Sequence, residues 1–197
     1  MPHLSPDPQD ADFLEAMREM GAFLDITPND ATELFQVAHR HAVKRLLRSI
    51  TVESLMTRSV ITLTPEQSAA DAARVLAGAK ISGAPVMDGD AVLGVVSVKD
   101  FLVHLGLPRE AQAIGLVARL LDGHTCTLAG LRGITVAGLM TAPALTIAPE
   151  VPAAEAARIM AGSAVNRLPV TAEGHLVGIL TRTDLANAFG TLLEEQP

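Results

Sequence analysis

Two short sequences, each a hydroxyl residue followed three positions later by aspartate, carry side chains suited to ligand chemistry. They are Ser97-Val98-Lys99-Asp100 and Thr181-Arg182-Thr183-Asp184. A hydroxyl at a helix N-terminus can donate a hydrogen bond to a phosphate oxygen, where the helix dipole also favours an anion. A carboxylate facing the same cleft can accept both hydrogens of a ribose diol. The spacing is also that of a capping box, which needs no ligand. Both interpretations remain open.

The two motifs belong to a long internal repeat. The segment that begins at Ile50 matches the segment that begins at Ile134, 84 positions later, without a gap through Gly106 and Gly190. Of the 57 aligned pairs, 21 are identical, and many of the others are conservative. We therefore predict an N-terminal helical segment, repeat 1, a helical connector, repeat 2 and a C-terminal tail. Their predicted bounds are residues 1–49, 50–106, 107–133, 134–190 and 191–197.

Each repeat has the local signals of a β-α-β-β-α unit. In repeat 1, short β-rich runs predict the strands, Ser68 followed by an alanine-rich run predicts the first helix, and Asp88-Gly89-Asp90 predicts a hairpin turn. In repeat 1 the elements are predicted at residues 60–63 (strand), 68–78 (helix), 85–87 and 92–96 (hairpin) and 98–105 (helix). One such unit is too small to bury both faces, so we expect the two units to form one domain.

The paired repeats resemble the tandem cystathionine β-synthase (CBS) domain pair. The shared motifs are Leu-Met-Thr near the start of each repeat, x-Pro-Val at the hairpin and Gly-φ-φ-(Ser/Thr)-x-x-Asp at its end, where φ is apolar. The resemblance implies a mixed α/β (α+β) fold in which two β-α-β-β-α CBS repeats pack about a pseudo-two-fold axis. It also implies two clefts that commonly bind adenine nucleotides or related adenosyl compounds, and modules that dimerise.

The resemblance also implies roles for individual residues. Ribose would be bound by two carboxylates, Asp100 and Asp184. Phosphate would be bound by two hydroxyls and three cations: Ser97, Thr181, Lys99, Arg167 and Arg182. An aliphatic slot for adenine would be formed by residues for which plain core packing is the alternative role: Thr62, Leu63, Ile81, Pro85, Thr146, Ile147, Val165 and Pro169.

The cations are distributed unequally between the repeats. Repeat 2 has Arg167 where repeat 1 has Gly83, and its Ser/Thr-x-x-Asp motif contains Arg182 whereas the motif of repeat 1 contains Lys99. Arginine can bind phosphate through two parallel hydrogen bonds, whereas lysine acts as a point charge. If a single site is occupied, we expect it to be the one in repeat 2.

The segments outside the repeats are predicted to be helical. Two amphipathic helices are expected between Asp10 and Ile50, and the second begins at Thr27-Pro28, since proline suits the first helical position. Its apolar stripe is Ala31, Leu34, Phe35, Ala38, Ala42 and Leu46. A third apolar helix is predicted between Pro108 and Gly123. We expect these stripes to pack onto the repeat pair or onto a second subunit.

Composition argues against several classes of function. The net charge of −7 disfavours non-specific nucleic-acid binding. No uncharged run reaches the length of about 20 residues that a membrane span needs, and the acidic N-terminus lacks the pattern of a secretory signal. We therefore expect a cytoplasmic protein. The single cysteine, Cys126, excludes an internal disulfide, and the six histidines show no metal-ligand spacing. We expect neither an enzyme nor a required cofactor or metal.

Two hypotheses for the function follow. The first is a homodimeric regulatory sensor that binds AMP, ADP, ATP or S-adenosylmethionine and acts on an unidentified effector protein. The alternative is a non-catalytic dimerisation or interaction scaffold with no ligand, in which both Ser/Thr-x-x-Asp motifs only cap helices.

Overall fold

The computed structural model describes residues 8–20, 28–108, 115, 117, 118, 121, 122 and 131–194. Most of the predicted connector helix, as well as Cys126, lies outside the described residues. The chain divides into two compact units. The helical unit consists of Met1–Leu55, Glu150–Val165 and Arg182–Pro197, and the sheet unit of Met56–Pro149 and Asn166–Thr181. Each repeat therefore contributes residues to both units.

The described elements confirm the mixed helix and strand class. In chain order they are α1 (Asp10–Met20), α2 (Pro28–Ser49), α3 (Val52–Leu55), α4 (Ala69–Gly78), β1 (Gly83–Asp88), β2 (Ala91–Ser97), α5 (Val98–His104), α6 (Val136–Leu139), α7 (Ala153–Gly162), β3 (Arg167–Ala172), β4 (His175–Thr181) and α8 (Arg182–Glu194). Within the described residues, no helix is long and apolar enough to cross a membrane.

In the helical unit, α1 and α2 confirm the two predicted N-terminal helices. Their contact is formed by aliphatic residues and one phenylalanine: Phe13, Ala16, Leu34, Val37 and Ala38. The prediction that Phe35 belongs to this buried stripe is wrong, because Phe35 is 52% exposed and stacks on His39. Val37 is buried in its place, since positions three and four apart share a helix face.

A partly buried ion pair joins the same two helices. Both carboxylate oxygens of Asp12 accept hydrogen bonds from the Arg45 guanidinium, at 3.2 Å from Nε and 2.9 Å from the terminal nitrogen. The Gln9 N–H donates to the same carboxylate at 2.8 Å. The hydrogen bond from Arg45 holds the pKa of Asp12 below its ordinary value, against the opposing effect of burial. The ionised form of Asp12 therefore stabilises the contact between α1 and α2 more than the protonated form does.

We expect the contact between α1 and α2 to weaken in acid. A carboxylate with a depressed pKa in the folded state stabilises that state above its unfolded pKa, and this contribution is lost as the pH falls through the folded pKa. Amide protection of α1, corrected for intrinsic exchange rates, should fall between about pH 5 and pH 2. In Asp12→Asn, protection should already be reduced at the higher pH and should change little on acidification. Equal pH dependence in both proteins would contradict the role of Asp12.

The sheet unit contains two hairpins with the same register. In the first, Gly83 pairs with Ser97 and Asp88 with Ala91, and in the second Arg167 pairs with Thr181. Both hairpins have an irregularity at the same repeat position, after Val86 and after the equivalent valine of repeat 2. The predicted hairpins and the helices that follow them are confirmed, and so is the helix over 69–78.

The first strand predicted in each repeat is wrong in extent. In repeat 1 only Leu63 pairs, in parallel with Val86, through hydrogen bonds to Pro85 and Met87. Ile147 pairs with β3 in the same way. The ladder cannot extend back to Ile61, because the donor to its carbonyl oxygen would be the nitrogen of Pro85, which carries no hydrogen. It cannot continue past Leu63 either, because Pro65 has no N–H to donate. Each predicted strand is thus a single bridge residue.

The threonine of each Leu-Met-Thr motif pairs through its backbone with the hairpin of the other repeat. Thr57 of repeat 1 forms two hydrogen bonds of 2.9 Å with Ile179 of β4 in repeat 2. Thr141 of repeat 2 forms two hydrogen bonds of 3.0 Å with Val95 of β2 in repeat 1. Each hairpin therefore gains a backbone pairing from the other repeat, which joins the two repeats within the sheet unit.

Candidate functional site

The first Ser/Thr-x-x-Asp motif forms a closed hydrogen-bond network. Ser97 ends β2, and its backbone N–H and its hydroxyl both lie 2.7 Å from Oδ2 of Asp100, to which they donate. Asp100 lies in the first turn of α5 and is only 8% exposed. The carboxylate thus binds the N-cap residue as the acid of a capping box does.

A residue from repeat 2 completes this network. The Thr141 hydroxyl donates to Oδ1 of Asp100 at 3.0 Å, so both carboxylate oxygens accept hydrogen bonds from protein groups. His104 lies one turn further along α5, with Nδ1 2.9 Å from the carbonyl oxygen of Asp100. A carbonyl can only accept, so Nδ1 carries the proton in this contact. The Asp100 side chain therefore ties α5 to the segment after α6.

An open cleft of about 290 Å³ borders this network. Its lining combines apolar side chains with the polar groups just described: Asp100, Val103, His104, Gly138, Leu139, Met140, Thr141 and Ala142. The volume lies just below the range for small-molecule sites, about 300–1,000 Å³.

The side chain of Arg167, in repeat 2, contacts residues of repeat 1. One terminal guanidinium nitrogen donates to the Ser82 hydroxyl at 2.7 Å. The other terminal nitrogen is buried and has no hydrogen-bond partner. Burial lowers the pKa of the guanidinium, and the negative charge of Asp100 offsets part of this effect. The cation that was assigned to the repeat 2 motif thus lies beside repeat 1.

The remaining motif residues of repeat 2 occupy equivalent positions in the chain. Thr181 ends β4, and Asp184 lies in the first turn of α8. Arg182 is exposed, and its guanidinium is 3.4 Å from the carbonyl oxygen of Val165, a long hydrogen bond. Lys99 is also exposed, in the first turn of α5.

The residues of the predicted adenine slot differ in burial, and Val165 is half-buried. The side chains of Leu63, Pro85, Ile147 and Pro169 are buried in the protein, and Ile81 packs against the core of the sheet unit. The threonines at positions 62 and 146 are exposed. For the buried members, core packing accounts for the side chain, and only backbone groups remain to face a ligand.

Sequence reasoning did not identify several neighbours of these residues. Ser82 and Thr141 complete hydrogen bonds to Arg167 and Asp100, and no local pattern places them there. Ile61 and Leu145 are equivalent in the two repeats, and they are 43% and 42% exposed beside the predicted slot. The repeat offset pairs Ile61 with Leu145 in the sequence, but only the structure shows that both are exposed.

Comparison with known families shows the class of the protein. The CBS domain model matches residues 52–106 and 136–191, which together make up more than half of the chain. The chain belongs to the CBS domain family and contains two CBS domains in tandem. This confirms the family that the sequence motifs indicate.

Particular relatives place the chain within that family. Inosine-5'-monophosphate dehydrogenase of Korarchaeum cryptofilum is 31% identical over 91% of this chain, and a 33.4 kDa protein of Thermofilum pendens is 26% identical over 88%. The chain spans only 32% and 56% of these two relatives. A crystal structure of CBSX2 in complex with AMP is similar over 74% of this chain and 99% of that chain, with 28% identity and a TM-score of 0.57.

Proposed function

We propose that the chain is a regulatory sensor that binds an adenine nucleotide through its CBS repeats. The observation that carries the proposal is the likeness to CBSX2, whose structure contains AMP and is matched over nearly its whole length. The described site supports it independently, because a half-buried arginine, one of whose nitrogens is buried and unpaired, lies beside the Ser82 hydroxyl and feels the negative charge of Asp100. A phosphate and a ribose require groups of these types.

The proposal assigns the ribose to Asp184 and Asp100 and the phosphate to the surrounding hydroxyls and cations: Thr181, Ser97, Arg182, Arg167 and Lys99. Of the two carboxylates, Asp184 is the better candidate for ribose, since it is half-buried whereas Asp100 is almost fully buried. The exposed threonines 62 and 146 and the backbone of the buried slot residues would face the adenine.

A sensor also has to transmit occupancy. A ligand shifts a conformational equilibrium only when it binds one arrangement better than another. The pairings of Thr57 and Thr141 with the opposite repeat would carry such a shift, because a change in one hairpin moves a segment of the other repeat. Under this proposal the protein is non-catalytic. The homodimer, the effector protein and the cytoplasmic location stay predictions.

The interaction scaffold is the second candidate, and one observation favours it. Both oxygens of Asp100 already accept hydrogen bonds from Ser97 and Thr141, so this carboxylate has a structural role that needs no ligand. If Asp184 also serves only to cap its helix, neither motif binds a ligand, and the repeats serve to join subunits.

Calorimetric titration of AMP separates the two candidates. We expect saturable binding of AMP to the wild-type protein and a loss of affinity of about 10- to 100-fold in Asp184→Ala, the usual effect of removing hydrogen bonds to a charged group. ADP, ATP and S-adenosylmethionine are titrated in parallel to identify the preferred ligand. Calorimetry suits a chain that contains neither Trp nor Tyr.

The matched control is Asp71→Ala. Asp71 is likewise an acidic residue in the first turn of a helix, paired with the hydroxyl of Ser68, and it lies outside the proposed site. This variant should bind AMP like the wild type. If none of the four compounds binds the wild-type protein, the sensor hypothesis fails and the scaffold remains.

A further inference from the structure

One polar side chain that lines the cleft of the sheet unit has no assigned role. His104 is the last residue of α5, it is half-buried, and it lines the cleft of about 290 Å³ together with Asp100. Its Nδ1 donates to the carbonyl oxygen of Asp100 at 2.9 Å. A neutral imidazole with its proton on Nδ1 has an acceptor at Nε2. The hydrogen bond within α5 therefore leaves Nε2 as the polar atom that the ring can offer to a ligand.

The carboxylate of Asp100 cannot accept both hydrogens of a ribose diol in this arrangement. An ionised carboxylate has about four lone-pair sites. Three of them accept hydrogen bonds from the backbone N–H and the hydroxyl of Ser97 and from the hydroxyl of Thr141. A vicinal diol donates two hydrogen bonds, so at least one of its hydroxyls needs another acceptor. His104 supplies an acceptor one helical turn along α5, in the same cleft.

The remaining lining of the cleft suits a neutral sugar. Apart from Asp100, His104 and Thr141, it consists of apolar or small residues: Val103, Gly138, Leu139, Met140 and Ala142. Within the described residues, this lining contains no lysine or arginine, so it has no cation for a phosphate. The repeat 2 motif differs, because the repeat offset of 84 residues places Ala188 at the position of His104. The acceptor at Nε2 is therefore a feature of repeat 1.

We propose that Nε2 of His104 accepts a hydrogen bond from a ribose hydroxyl of the ligand at repeat 1, supplementing the carboxylate of Asp100. The inference rests on the proposed function and adds a residue that determines specificity for the sugar. A ligand without ribose hydroxyls would lose this hydrogen bond. In repeat 2, where alanine occupies the equivalent position, the diol depends on Asp184.

Calorimetric titration of the full chain with AMP and its 2′,3′-dideoxy analogue tests the proposal. The background variant is Asp184→Ala, in which the remaining affinity belongs to repeat 1. The ratio of the two affinities measures the contribution of the diol, because both compounds carry the same base and phosphate. Adding His104→Ala should reduce the preference for AMP by about 2- to 10-fold, the range for one neutral hydrogen bond, and should leave the affinity for the dideoxy analogue unchanged.

Two amide variants test the position of the acceptor. The amide of glutamine reaches the position of Nε2, whereas the shorter amide of asparagine reaches only that of Nδ1. His104→Gln should therefore retain part of the preference for AMP, and His104→Asn should lose it. The control is His175→Ala, which removes an exposed histidine at the start of β4 and should behave like the background variant. An equal preference for AMP in the glutamine and asparagine variants would contradict a contact through Nε2.

The outcomes separate this inference from the proposed function. If the wild type binds AMP but His104→Ala keeps the full preference for AMP, the inference fails and the sensor remains. The same conclusion follows if the Asp184→Ala background binds no AMP. Equal weakening of AMP and the dideoxy analogue by His104→Ala also overturns the inference, because it would indicate a general structural effect. If the wild type binds neither compound, the proposed function fails together with the inference.

Discussion

Replacing Gly94 with alanine should lower the free energy of unfolding by about 2–3 kcal/mol, the usual effect of forcing an extra carbon into a packed interior. Gly94 lies in β2, where the new β-carbon would be 2.8 Å from the Met140 sulfur and 2.8 Å from the carbonyl oxygen of Thr141. The methionine side chain can move. The carbonyl oxygen cannot move without breaking its hydrogen bond from Val95, which joins the two repeats.

The equivalent glycine of repeat 2 gives an internal comparison. At Gly178 the new β-carbon would be 2.5 Å from the Met56 sulfur but 3.2 Å from the carbonyl oxygen of Thr57. Because the closest neighbour is the flexible end of a methionine, Gly178→Ala should destabilise the protein less than Gly94→Ala.

Gly78→Ala is the control for this pair. A β-carbon on this last residue of α4 meets nothing within 4 Å, so the substitution should be neutral or stabilise by up to about 1 kcal/mol. Urea denaturation followed by circular dichroism measures all three variants. Equal stability of Gly94→Ala and Gly78→Ala would contradict the close packing between β2 and the Leu-Met-Thr segment of repeat 2.

Replacing Asp100 with alanine should lower the free energy of unfolding by about 2–4 kcal/mol, because the variant loses a helix cap and leaves buried donors unpaired. The carboxylate is 8% exposed, and it accepts hydrogen bonds from the backbone and hydroxyl of Ser97 and from the Thr141 hydroxyl. The Ser97 N–H cannot turn towards another acceptor, so it carries most of the expected loss.

Asp71→Ala tests whether burial is responsible. Asp71 occupies the same position in the cap of α4, where it interacts with the Ser68 hydroxyl and with Arg74, but the pair is exposed to solvent. Water replaces the lost hydrogen bonds there, so the destabilisation should be clearly smaller. Equal free energies of unfolding for Asp100→Ala and Asp71→Ala would show that the network around Asp100 stabilises the fold no more than an exposed cap does. A ligand role for Asp100 would then gain support.

The Asp100 result also decides how binding data are interpreted. A variant that unfolds easily loses ligand affinity for reasons unrelated to contact with the ligand. Asp184 is therefore the residue whose replacement tests the ribose assignment, and Asp100→Asn, which keeps the shape of the side chain, is the better probe of repeat 1.

Local signals were sufficient for most of the elements. Ser68 begins α4, the Asp-Gly-Asp turn separates β1 from β2, and Gly106 adopts a positive φ of 86° directly after α5 and its C-cap. These features depend on residues close together in the chain, whose conformational preferences act before any tertiary contact forms. The predicted strand at 60–63 was too long, because pairing depends on the partner strand, where Pro85 has no N–H to donate to Ile61.

The amino-acid sequence by itself determined the duplication, the β-α-β-β-α order of each repeat, the family and the two Ser/Thr-x-x-Asp motifs. Only the tertiary structure decided that Thr57 and Thr141 pair with the opposite repeat, that Thr141 completes the network of Asp100, and that Arg167 lies on Gly83. The physical reason is that these contacts join residues 41 to about 120 positions apart, whose approach depends on how the whole unit packs.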